Sequence, residues 1–129
     1  MIIFAILFTL ACSLNAQTYK FMAHSFAYKF YENNRWTEWS EWEESRLLIV
    51  ISLDRKVINI YSEKIQEYDI IDYIGKEEDN DGGTSIKYKC VDQDGLRCHI
   101  RLRALSDGSA QLYVDFNDLM FVYGMEKRE

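Results

Sequence analysis

The feature that most constrains this chain is a two-residue alternation over residues 85–116, cut twice by short acidic turns that carry glycine. Ile86, Tyr88 and Cys90 alternate with Ser85, Lys87, Lys89 and Val91. After Asp92-Gln93-Asp94-Gly95, the set Leu96, Cys98, Ile100 and Leu102 alternates with Arg97, His99, Arg101 and Arg103. A second turn, Ser106-Asp107-Gly108-Ser109, leads into Ala110, Leu112, Val114 and Phe116. A period of two places each set on one face of a strand. Glycine suits the left-handed positions that such turns require. Three antiparallel strands are expected here, with Leu96, Cys98, Ile100 and Leu102 facing inward.

The neighbouring sequence continues the pattern. A strongly β-branched run over 46–53 turns at Asp54-Arg55 into a strand over 56–62, and a further strand is expected over 66–74. Asn117-Asp118 sets off a last strand at 119–123, while the aromatic-rich residues 19–31 supply one or two more. No sustained amphipathic helix follows residue 46. About eight short strands with tight connections make an all-β fold, a small antiparallel meander. An up-and-down β-barrel of lipocalin-like type is preferred, because nearest-neighbour hairpins explain the order and closure removes exposed edges. A compact β-sandwich is the alternative. Closure requires the 19–31 region to meet the strand containing Phe121 and Tyr123.

The first sixteen residues, Met1 to Ala16, carry no charge, and their apolar run from Ile2 to Leu14 is shorter than the roughly 20 residues of a bilayer span. Such a run followed by small and polar residues reads as a secretory signal peptide, cleaved after Ala16, although no Lys or Arg precedes Ile2. The string Thr9-Leu10-Ala11-Cys12 resembles a bacterial lipoprotein box, with Thr9 where leucine is usual, so lipidation at Cys12 is the membrane-anchored alternative. The ending Leu14-Asn15-Ala16-Gln17 is similar to signal peptides of secreted proteins from gut Bacteroidetes. That resemblance covers the leader alone and implies an address, not an activity. Residues 17–129 then form a single β-rich domain, able to remove roughly 60–70% of its unfolded surface from water.

Cys90 and Cys98 fall at mirror positions about the turn centred on Asp94. An oxidising compartment permits a bridge between them. The expectation is a Cys90–Cys98 disulfide, which in the chain-entropy account would contribute about 2–3 kcal/mol. Free buried thiols are the alternative.

Two clusters stand out as ligand surfaces. Trp36, Trp39 and Trp42 recur every three residues within 34–44. This spacing resembles the WxxWxxW element of thrombospondin type 1 repeats, but the mature chain has two cysteines where those repeats use six, and it lacks their arginine ladder. Membership of that family is rejected. A period of three suits an irregular strand or one short helix capped by Asn34. The tryptophans either close one side of the core as a helical plug or present an aromatic platform to a sugar or apolar ligand. The second cluster is basic: the hairpin register puts Lys89 opposite His99 and Lys87 opposite Arg101, with Asp115 beside His99 and Tyr113 beside Arg101. It reads as a solvated face or as a surface for an anionic ligand or partner.

Other chemistry is sparse. Glu77, Asp79 and Asp81 alternate ahead of Gly82, but an EF-hand starting at Glu77 would need a glutamate where Tyr88 stands. No GxSxG, HExxH, P-loop or GxGxxG motif occurs. His24 and His99 are the only imidazoles, and no catalytic residues or cofactor can be named. The net charge of −6 opposes a generic nucleic-acid role. The expectation is a non-catalytic secreted, periplasmic or cell-surface binding module. Its partner would be a glycan, lipid or protein, met through Trp36, Trp39 and Trp42 or through Lys87, Lys89, His99 and Arg101. A structural or accessory subunit of a surface complex, or a small hydrolase, is the alternative.

Overall fold

A computed structural model describes residues 18–127. The expected signal peptide, its expected cleavage after Ala16 and Cys12 lie outside the described residues. The strands are β1 (Thr18–Glu32), β2 (Arg35–Trp36), β3 (Glu43–Ser52), β4 (Val57–Tyr61), β5 (Ile65–Glu78), β6 (Thr84–Val91), β7 (Arg97–Ala104), β8 (Ser109–Asp115) and β9 (Leu119–Lys127). β1 and β3 to β9 pair in sequence order, every pair antiparallel, and β1 closes the ring by pairing with β9. The result is an eight-stranded β-barrel with the small β2 attached to β1. Phe26↔Tyr123 and Tyr28↔Phe121 are register partners, the meeting that closure required and a sandwich would forbid.

The β6–β7–β8 meander carries the expected register, including Lys87↔Arg101, Lys89↔His99, Cys90↔Cys98, Arg101↔Tyr113 and His99↔Asp115. Its first turn is held by Asp92, whose Oδ1 accepts the N–H groups of Asp94 and Leu96 at 2.9 and 2.8 Å. Gly95 takes φ 81° there. This turn corrects one expectation. Leu96 does not face inward; it belongs to the turn and is 58% exposed, because the Asp92 carboxylate captures its N–H before the strand begins at Arg97. Cys98 and Ile100 do point into the core, and Leu102 packs partly buried against it.

A second correction concerns the cysteines. Cys90 and Cys98 oppose each other but are free, so the expected disulfide is absent. Register partnership sets Cα positions alone, whereas a disulfide also requires a Cβ–S–S–Cβ dihedral near ±90°. Both side chains are instead buried in the barrel core. Burial pushes both thiols up to about 12, disfavouring the thiolate through which disulfides form.

The tryptophan segment is an irregular strand and not a helix. Asn33 and Asn34 take φ 54° and 65° between the register partners Glu32 and Arg35, forming a two-residue hairpin turn. Asn34 is therefore a turn residue rather than a helix cap. Residues 37–42 stay on the β1 edge without regular pairing. Thr37 and Ser40 donate their N–H groups to the Phe30 and Tyr28 carbonyls at 2.7 and 2.8 Å. Their hydroxyls accept the N–H groups of the same two residues at 2.9 Å. The segment thus satisfies an edge that would otherwise be open.

Inside, Ile49, Ile58, Ile60, Ile100, Leu112, Val114 and Met125 are almost completely buried. β1 contributes Phe21 and Ala23 to this core, then bulges at His24. The extra residue switches the inward positions from odd to even numbers, so Phe26, Tyr28 and Phe30 face the same side as Phe21. Gly124 sits opposite Ser25 at the bulge, where a Cβ would collide with the Ser25 hydroxyl.

Candidate functional site

Because neighbouring strands alternate in direction, the connections 33–34, 62–64, 92–96 and 116–118 gather at one end of the barrel. That end is uneven. The register Met22↔Leu48↔Tyr61↔Ile65 sets the β4–β5 turn level with the first third of β1. β1 and β9 continue pairing to Phe30↔Leu119 and stand above that turn as a wall. Phe26, Tyr28 and Phe30 from β1, with Leu119, Phe121 and Tyr123 from β9, line the wall, while Gln66 and Tyr68 of β5 close the opposite side. They enclose an open cup of about 560 Å³.

Aromatic packing shapes the cup. Phe26 lies 5.3 Å from Tyr123 and 5.7 Å from Tyr28 between ring centroids, and Tyr28 meets Phe30 edge-on at 5.6 Å. Such tilted pairs hold one another while leaving apolar faces available for a ligand. Gln66 concentrates the polarity. Its carbonyl oxygen accepts from the Tyr68 hydroxyl at 2.6 Å, and its amide nitrogen donates to Ser62 Oγ at 3.1 Å and Tyr123 Oη at 3.3 Å. Burial raises both phenols, Tyr68 strongly, so each hydroxyl remains neutral across the physiological range. None of the eight lining residues is Asp, Glu, Lys, Arg or His. The arrangement can bury flat or chain-like apolar surface and offer amide and hydroxyl groups to one polar end. It provides no charge to neutralise an ion.

The sequence-predicted surfaces lie elsewhere. Trp36, Trp39 and Trp42 are outside the barrel, and they do not plug the core as a helix. Trp39 and Trp42 line a hollow of about 220 Å³ with Ala27, Ser40, Tyr113 and Val122, on the far side of the wall that carries the cup. The indoles do not form one free platform. The Lys29 ammonium sits 4.6 Å from the Trp39 ring centroid and 5.6 Å from that of Trp36, and Trp39 also meets Tyr113 edge-on at 6.1 Å. Trp42 is the most open, at 54% exposure.

Lys87, Lys89, His99 and Arg101 share the outer face of β6 and β7, as their spacing indicated. Arg101 is partly neutralised by Asp115 at 3.2 Å, and its guanidinium stacks 4.1 Å from the Tyr113 ring centroid. Asp115, expected beside His99, is His99's register partner but gives its Oδ2 to Arg101. Lys87 and Arg101 line a separate hollow of about 320 Å³. The acidic turn is likewise committed. Asp79 Oδ1 accepts the N–H groups of Asp81 and Gly83 at 3.0 and 2.9 Å, and Oδ2 pairs with Arg103 at 2.9 Å. The Arg103 hydrogen bond lowers the Asp79 carboxyl to about 2. Among the described residues, no group of three or more His, Cys, Asp or Glu side chains is placed to hold a metal.

The cup was missed by reasoning from sequence, although two signals were present. Phe26-x-Tyr28-x-Phe30 and Leu119-x-Phe121-x-Tyr123 each repeat every two residues. Neither reveals that the two rows pair, and the bulge at His24 hides which face of β1 turns inward. Comparison with protein families, curated proteins and solved structures gives no match for this chain.

Proposed function

We propose that this protein is a non-catalytic binding module that holds an uncharged amphipathic ligand in the aromatic cup at the barrel mouth. The carrying observation is the lining itself: six aromatic side chains with Leu119 and Gln66, and no charged group. Small-molecule sites combine an apolar lining with a few oriented polar groups, commonly within about 300–1,000 Å³ and often in the mouths of β-barrels. The use of the mouth is lipocalin-like in kind. Ile49, Ile60, Ile100 and Leu112 fill the interior, which favours a ligand seated at the rim over one swallowed deeply. The uncharged leader Met1–Ala16 supports work outside the cytoplasm, as a secreted, periplasmic or cell-surface protein.

A fluorescence titration with the neutral probe N-phenyl-1-naphthylamine tests this reading. Saturable binding is expected, displaced by a monoacylglycerol more effectively than by the matching fatty-acid anion. Phe30 is exposed at the rim, so Phe30→Glu should abolish probe binding without unfolding the barrel. Equal binding by wild type and Phe30→Glu would refute the cup. A second reading, glycan stacking on the outer surface, rests on the exposure of Trp42 and Trp39. It predicts glycan-array signals lost in Trp42→Ala and retained in Phe30→Glu.

A further inference from the structure

Among the described residues, β5 is laddered on one side only from Ile71 to Glu78. Its pairing with β4 ends at Asp69 opposite Val57, followed by one bond from the Ile70 N–H to the Lys56 carbonyl at 2.8 Å. Beyond that point its ladder partner among the described residues is β6 alone. An antiparallel strand turns about half of its N–H and C=O groups away from a single neighbour, so this stretch presents an open hydrogen-bonding edge.

Three further observations fall on the same stretch. Ile71, Tyr73 and Ile74 are 52%, 55% and 50% exposed. A hollow of about 390 Å³ adjoins the edge, lined in part by Leu53, Lys56, Ile70, Tyr73 and Tyr88. The charge along the strand is mainly acidic: Asp72, Glu77, Glu78, Asp79 and Asp81 stand against Lys76 over residues 71–81. Although Asp79 is paired to Arg103, Asp72 lies opposite Lys89 and Lys56 lines the hollow, Glu77, Glu78 and Asp81 remain as an acidic end. A second copy of this chain, net charge −6, would set one acidic edge against another. Two bulges, between Ile70 and Asp72 and between Tyr73 and Gly75, break the edge and limit it to a short partner.

From the open ladder, the adjoining hollow and this charge, we infer that the β5 edge docks a short, extended, cationic and apolar segment of a partner protein by strand addition. Main-chain hydrogen bonds to Ile71–Glu78 supply the attachment. Lysine or arginine side chains meet Glu77, Glu78 and Asp81, and an apolar side chain enters the hollow beside Tyr73 and Tyr88. This surface is separate from the aromatic cup and does not depend on it.

The full chain can be titrated by fluorescence anisotropy with a labelled peptide alternating lysine with valine and isoleucine. Two controls accompany it: the same peptide with glutamate for lysine, and a lysine peptide N-methylated at alternate backbone nitrogens. The lysine peptide should bind, with both controls weaker by about tenfold or more, because one loses charge complementarity and the other the ladder. Binding should slow amide exchange within Ile71–Glu78 and leave N-phenyl-1-naphthylamine binding in the cup unchanged. The double variant Ile71→Lys, Ile74→Lys alters exposed side chains and should weaken the peptide while retaining the wild-type melting temperature. If that variant unfolds, exchange in the wild-type protein still decides. Equal binding of the N-methylated peptide, or unchanged exchange at Ile71–Glu78, would overturn strand addition. Amides of this stretch already protected without peptide would also overturn it, by showing that a second copy or the chain's own N-terminal segment covers the edge.

Discussion

Cys90 and Cys98 are direct partners across β6 and β7, and both carry free thiols inside the barrel. Burial pushes each up to about 12. At neutral pH, native protein should react with iodoacetamide slowly at both Cys90 and Cys98, and these two thiols should become available on unfolding in urea. Mass spectrometry of alkylated protein prepared without reductant reads both numbers. Rapid labelling of the folded protein would show that the thiols are not sealed in the core.

Gln66 links the two phenols of the cup. Replacing it with leucine preserves much of the volume but deprives the Tyr68 and Tyr123 hydroxyls of their partner. Gln66→Leu should lower stability by about 1–3 kcal/mol, the usual cost of orphaning buried polar groups. Urea denaturation measures the loss. A variant as stable as wild type would mean that solvent already serves these hydroxyls.

The bulge that aims the aromatic row inward depends on a small residue at position 124. Gly124→Ala should destabilise the barrel by about 1–3 kcal/mol through the collision with the Ser25 hydroxyl. Adding Ser25→Ala should recover part of the loss, since the hydroxyl is the obstructing atom. Thermal melts of the two single variants and the double variant form the cycle. Additive losses would place the cost elsewhere.

Acid should loosen the β5–β6 turn. Asp79 titrates near 2 in the folded protein against 3.8 for an unperturbed carboxyl, chiefly because Arg103 hydrogen-bonds its charged form. A lowered carboxyl contributes stability that is present above pH 3.8 and lost as pH falls through about 2. Asp79→Asn should therefore flatten that part of the acid limb in a plot of melting temperature against pH. Asp79 is solvent-exposed, so the effect should be modest. An unchanged acid limb would assign the proton uptake to other carboxylates.

Period-two alternation and the two glycine-bearing turns determined the β6–β7–β8 meander down to individual register partners, because both act within a few residues of chain. The same local rules carried the all-β class and the order of neighbours. They failed at Leu96 because one side chain, Asp92, moved the end of the turn. They failed at the cysteines because facing Cα positions do not impose disulfide geometry. The tryptophan spacing, equally readable as helix or irregular strand, was decided by the open edge of β1 that Thr37 and Ser40 satisfy. Closure was expected from the edges an open meander would leave, but the bulge at His24 and the residue-by-residue pairing of Phe26, Tyr28 and Phe30 with Tyr123, Phe121 and Leu119 belong to tertiary structure alone. These partners are separated by about ninety residues, and no periodicity within either strand encodes the register between them.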